Sequence, residues 1–280
     1  MLRRKALKAV GTSGVLLGLG QASIASAKSL SFGLLPNLSS RVLFDQYEPV
    51  TQYLAAAAGA KVVVSSASSW RAFYHRAADH QFNVMVCAPH IARLMQKELG
   101  FLPIATLTPS VEAVLVCKKN QNVQHLDFIR GKTVAAANPA CLISVEGEVW
   151  LAKQGLQCGD DYITVNVRGA DSVGVMIERG DAIAGLMSIF DFKSHPHAIT
   201  KNLKVVQGYA VLPSFVILID PIRSPLSAGA MSKIFHEFAL SPFADAFELR
   251  SGSRIENKVS ENFAASMDRY LTTTRQKLHI

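Results

Sequence analysis

A chain of 280 residues, 49% hydrophobic and 18% charged, is long and apolar enough to bury a substantial core in one large or two small domains, which excludes the disordered and fibrous classes. Of the formal charge of +8, four units come from Arg3, Arg4, Lys5 and Lys8, in a stretch without acids; the rest carries +4. It has no basic run interleaved with aromatics, so nucleic-acid binding is not expected.

Residues 1–27 have the form of an export signal: a basic start, an apolar stretch from Ala9 to Ile24 and the small-residue end Ala25-Ser26-Ala27, which predicts a mature start near Lys28 and a periplasmic protein. Arg3-Arg4-Lys5 is compatible with either the twin-arginine or the ordinary route. No later run reaches about 20 apolar residues, so a membrane anchor is not expected.

From Lys28 strands and helices alternate. Leu30 to Leu35 reads as a strand stopped by Pro36, Tyr47 to Leu54 as a helix ending near Gly59, Lys61 to Ser65 as a β-branched strand and Trp70 to Ala78 as a helix. Phe82 to Cys87 gives another strand, halted by Ala88-Pro89-His90, before a helix ending at Gly100. Two consecutive strands come next, Leu102 to Leu107 and Glu112 to Lys118. The stretch Val123 to Ser144 then holds a short helix, the Arg130-Gly131-Lys132 turn, a small-residue strand from Thr133 to Ala137 and a break at Asn138-Pro139, after which Val145, Val149 and Ala152 take helical spacing. A second alternating unit runs through Tyr162 to Val167, Val173 to Glu178 and Ala182 to Met187, with strands expected at Leu203 to Val206 and Val211 to Leu218 and helices over Met231 to Phe247 and Ile255 to Leu278.

This rhythm predicts an α/β fold of two lobes with mixed, mostly parallel sheets, joined by crossings near Val116 to Lys119 and Val206 to Leu212. Lobe I takes 28–117 and 210–280, and lobe II 118–209. In such sheets ligands sit where strands deliver helix N-termini. Four loops of that kind supply the candidate ligand contacts: Asn37, Leu38 and Ser39; Pro89 and His90; Ala140, Cys141 and Leu142; and Gly169, Asp171 and Ser172. Cys87 and Ser214 complete the set. No catalytic residue, metal ligand or cofactor is expected. His195-Pro196-His197 lacks a third ligand nearby, and no phosphate-binding glycine loop or nucleophile elbow is present.

The segments LSFGLLP at Leu30 to Pro36, Tyr47-Glu48-Pro49 with Tyr53-Leu54, Ala88-Pro89-His90, and Leu126-x-x-Ile129-Arg130-Gly131-Lys132-Thr133-Val134-Ala135 resemble the periplasmic phosphate, phosphite and phosphonate binding proteins of ABC transporters. The resemblance covers nearly the whole mature chain. It implies a type II periplasmic binding clamp that captures a small solute, an oxyanion by family habit, and presents it to a permease as a monomer. Two alternatives stay open: a sensory version docking on a histidine-kinase ectodomain, and a cofactor-biosynthesis enzyme on the same fold, which an export signal disfavours.

The departures from the family pattern matter for the ligand. Where phosphonate binders continue Asp-Pro-x-Ser-Thr-Ser-Gly, this chain has Asn138-Pro139-Ala140-Cys141-Leu142-Ile143-Ser144, and their Gly-x-His aligns with Gly169-Ala170-Asp171. The resemblance thus predicts weak phosphonate binding and a less charged or softer ligand. Cys87 falls where relatives place a pocket tyrosine and Cys141 where they place an anion-gripping serine. Both are therefore open to two readings, as thiol ligands of the kind used by arsenite-sensing relatives or as small apolar fillers. A Cys141–Cys158 disulfide is not expected, since about 20 Å of helix separates them.

Overall fold

The computed structural model describes residues 29–167 and 169–280 of the chain; the segment expected to be an export signal, Lys28 and Arg168 lie outside these. The elements run β1 (Ser29–Leu34), α1 (Ser40–Ala58), β2 (Lys61–Ser65), α2 (Trp70–Ala78), β3 (Val84–Cys87), α3 (Pro89–Leu99), β4 (Leu102–Thr108) and β5 (Val111–Lys118). After a 3₁₀ turn at Leu126–Ile129 come β6 (Thr133–Ala136), α4 (Leu142–Lys153), β7 (Ile163–Asn166), α5 (Val173–Arg179), β8 (Ala184–Ser188), α6 (Ile189–Ser194), α7 (His197–Thr200) and β9 (Leu203–Leu212). The chain closes with β10 (Val216–Ile219), α8 (Ala228–Ala239), α9 (Pro242–Ser251), β11 (Arg254–Glu256), α10 (Phe263–Asp268) and α11 (Leu271–Leu278).

The strands form two sheets, ordered β11-β4-β10-β3-β1-β2 and β7-β6-β8-β5-β9. β2, β1 and β3 pair in parallel, as do β7, β6 and β8, whereas β10 and β5 enter antiparallel to their neighbours. The crossings differ from the expected places. β5 and β9 pair with each other from Val111↔Leu212 to Lys118↔Leu203 and so belong wholly to the second sheet. The chain therefore changes sheet at Pro109-Ser110 and again at Pro213-Ser214-Phe215, where a proline without an N–H ends the ladder. The strand expected over Val211 to Leu218 is accordingly split, and Ser241-Pro242 likewise divides the helix expected over Met231 to Phe247.

Apolar clusters cover both faces of each sheet, and the one containing Phe73, Phe82, Met95 and Phe101 also takes in Ala113, Ala140, Leu142 and Leu212 from the second sheet. One close approach in β1 sets a strict size limit: a Cβ on Gly33 would stand 2.6 Å from Cγ of the fully buried Phe82, whose ring stacks on Phe73. Gly33→Ala is expected to cost about 1–3 kcal/mol, the usual penalty for overpacking. Urea unfolding measures it, and an unchanged midpoint would show that the Phe82 ring gives way freely.

Candidate functional site

Between the two sheets lies a cavity of about 500 Å³. The first sheet contributes Asn37, Leu38, Tyr47, Trp70 and Pro89; the second contributes Asn138, Cys141, Leu142 and Asp171, with Met187 to Asp191 and Lys193 to His195 at the end of β8 and along α6; the crossings supply Pro109 to Glu112 and Leu212 to Phe215. Contacts between the two halves bracket this space. Ala170 N donates to Asn37 O at 3.3 Å, His90 Nε2 donates to Ala140 O at 2.8 Å, and the Phe190 ring packs on Gly252. Further from the cavity, Tyr270 Oη donates to Glu146 at 2.7 Å and Lys277 pairs with Glu148 at 3.2 Å, so these two carboxylates also tie the halves together. The clamp is closed.

Three helices open onto the cavity, and each begins without a side-chain cap. Ser39 before α1, Ala88 before α3 and Cys141 before α4 make no side-chain hydrogen bond to the first turn, whereas Ser69 and Ser227 cap α2 and α8 elsewhere. Unmet first-turn N–H groups and the positive ends of the helix dipoles are thereby left for acceptor oxygens in the cleft. Cys141 lies over the start of α4. Burial pushes its thiol up to about 11, with the N–H groups of Ile143 and Ser144, which lie near the sulfur without meeting hydrogen-bond geometry to it, pulling the other way.

Of the residues singled out in the sequence, Asn37, Leu38, Pro89, Cys141, Leu142, Asp171 and Ser214 line the cavity. The others stand behind the wall or at its rim. Cys87 is fully buried in the core, where burial raises its thiol, so it is a packing residue and the thiol-ligand reading loses one of its two members. His90 lies behind Pro89, its Nδ1 without a partner among the described residues, and Ala140 is buried as the acceptor of its Nε2. Ser39 is exposed, and a Cβ on Gly169 would stand 3.5 Å from its N, so these two residues seal the rim. Ser172 is the half-buried residue before α5.

The sequence pattern gives no sign of α6 or of its role in the wall. Ser188 Oγ donates to Asp191 at 2.6 Å and accepts from Asp191 N at 2.9 Å. Burial raises the Asp191 carboxyl above its ordinary value; Ser188 and His195 oppose this, and nearby Asp171 adds to it. His195 is buried: Nδ1 donates to Asp191 O at 2.7 Å and Nε2 has no partner among the described residues. His197 is exposed on α7, and among the described residues no group of three His, Cys, Asp or Glu is placed to hold a metal ion. Tyr47 and Trp70 also line the cavity, although their helical spacing reads as core.

A family model described as the phosphonate periplasmic substrate-binding protein of ABC transporters matches residues 32–238. The chain belongs to this family. Its fold is similar to a binding-protein component of the ABC phosphonate transporter from Pseudomonas aeruginosa, at 13% identity and a TM-score of 0.75, covering 90% of this chain and 88% of that one. It is also similar to PhnD1 from Prochlorococcus marinus in complex with methylphosphonate (13% identity, TM-score 0.74, 88% and 98% covered) and to a Xanthomonas citri protein bound to ATP (14%, 0.69, 90% and 98%). A sequence comparison with curated proteins gives no match. Members of the family are extracytoplasmic binding proteins, and no helix among the described residues is long and apolar enough to cross a membrane. Leu142, at a position where the resemblance leads one to expect a hydroxyl, is 4% exposed and packed into the core.

Proposed function

We infer that the protein captures a small solute in the interlobe cavity and delivers it, as a closed monomer, to an ABC permease, without chemistry on the solute. The observation that carries this reading is the convergence of three uncapped helix N-termini on one cavity. They supply fixed N–H donors for one end of a ligand, and closing about the two crossings buries the rest. The solute is less charged than a phosphonate dianion, because Asp171 and Asp191 line the cavity where donors would be needed. A thermal-shift screen of the mature protein against oxyanions and small metabolites tests the reading. Binding stabilises the closed form in proportion to ln(1 + [L]/Kd), so a true ligand at about a hundred times its Kd adds about 2.7 kcal/mol. Turnover of a bound solute would overturn it.

The mature chain begins at or near Lys28 in this reading. N-terminal sequencing of exported protein is expected to return Lys28 or a neighbour, and an intact Met1 in the membrane fraction would contradict it.

A further inference from the structure

We propose that the solute is an amphipathic monoanion: a compact oxyanion head carrying one charge, joined to an aliphatic or aromatic body of about ten heavy atoms. This rests on the reading of the cavity as the solute site and specifies what the cavity selects. Size is the first ground. At about 30 Å³ for a water-sized group, 500 Å³ holds about seventeen such groups, whereas methylphosphonate, with its carbon, phosphorus and three oxygens, fills roughly a third of the space. A ligand that small would leave most of the closed clamp unfilled.

The wall supplies the second ground. Away from the helix N-termini the cavity is bounded by Tyr47, Leu107, Val111, Met187, Phe190 and Phe215, contributed by α1, both crossings and the β8–α6 junction. These groups offer contact area and little hydrogen bonding, which suits an apolar body and gives a hydrophilic one nothing in exchange for its lost water.

Charge is the third ground. The lining carboxylates are Glu112, Asp171 and Asp191, against Lys193 and Arg250. Arg250 is engaged elsewhere, donating to Glu48 at 2.7 Å and to Asp45 O at 2.6 Å, and Lys193 is exposed to solvent at the rim on α6. Among the described residues no cation is therefore fully buried in the cavity to balance a second negative charge, while the helix termini, each worth about half a unit of positive charge, suit one.

The test is titration calorimetry of the mature protein with alkanesulfonates of increasing chain length, which hold a single charge and a constant head. Each added methylene is expected to tighten binding about fourfold, so that octanesulfonate binds about two-hundredfold tighter than butanesulfonate, until the cavity is full. Phe215→Ala, or Phe215→Leu should that variant fail to fold, is expected to weaken octanesulfonate severalfold more than methanesulfonate. Equal affinity for the short and long members would overturn the proposal while leaving the solute site in place. Absence of binding by every member would also overturn it, and the metabolite screen then decides separately whether the cavity binds a solute at all.

Discussion

Between pH 7 and pH 4 the protein is expected to lose about 3 kcal/mol of stability through His90 alone. The residue is 1% exposed, and burial lowers its imidazole to about 4 from an ordinary 6.5, against the opposing pull of its bond to Ala140 O. That carbonyl can only accept, so Nε2 carries the proton and Nδ1 is a bare acceptor without a partner. Around it stand Trp70, Ala140, Leu142, Tyr270, Thr274 and Lys277, and none of these is a carboxylate that would stabilise an imidazolium. The sign comes from proton counting. Between pH 6.5 and 4 the unfolded chain binds a proton that the native state refuses, so stability falls as pH falls through this window and levels off below it. At 1.36 kcal/mol per pH unit the two and a half units amount to about 3 kcal/mol. His90→Gln keeps an N–H for Ala140 O and does not titrate. Urea unfolding of both forms at pH 7 and 4 is expected to show a smaller acid loss in the variant by about that amount, with parallel losses counting against it. Because Ala140 belongs to the other half of the clamp, acid should also favour opening, and ligand affinity should fall over the same window in the wild type only.

The legible parts of the sequence are those with a single physical solution. Lys61 to Ser65 is largely β-branched, and Trp70 to Ala78 comes after a serine that accepts from Ala72 N at 3.1 Å; both elements lie where the pattern puts them. Strand-to-helix junctions are equally legible, because a proline after a buried strand can do little except start a helix, and three of those junctions meet at the cavity. Side-chain direction is not legible. Cys87 and His90 flank Ala88-Pro89 in a stretch buried on every side, so no polar alternation says which side chain faces the cleft, and both turn away from it. α6 is hidden for a different reason: six residues are too few for a helical period, and Ile189-Phe190-Asp191-Phe192 reads equally well as strand or loop. With α6 goes the pairing of Asp191 with buried His195. The crossings fall elsewhere than expected because β9, interrupted at Gly208 by a shift of register, reads as two short strands although it is one long one.

Asp171→Asn is expected to raise the affinity for methylphosphonate by about ten- to a hundredfold. The side chain lines the cavity, is half-buried and has no ion-pair partner among the described residues; its Oδ1 lies over Gly169 at the rim. A unit charge some 6 to 8 Å from a bound anion, at the intermediate dielectric of a partly closed cleft, is worth on the order of 0.7–1.4 kcal/mol per charge on the ligand. Removing it helps a dianion about twice as much in free energy as a monoanion, and a neutral solute not at all. The variant should therefore gain most for methylphosphonate, less for methanesulfonate and nothing for an uncharged compound of the same size. Asp171→Glu, which keeps the charge, should gain nothing for any of them. Asp191 sharpens the expectation, because the proximity of Asp171 helps to hold its buried carboxyl above the ordinary range; losing that neighbour should let Asp191 ionise at lower pH. Calorimetric titration of the three ligands against wild type, Asp171→Asn and Asp171→Glu separates the cases. A uniform gain for all three would identify a change of shape or of closure, not charge, as the cause.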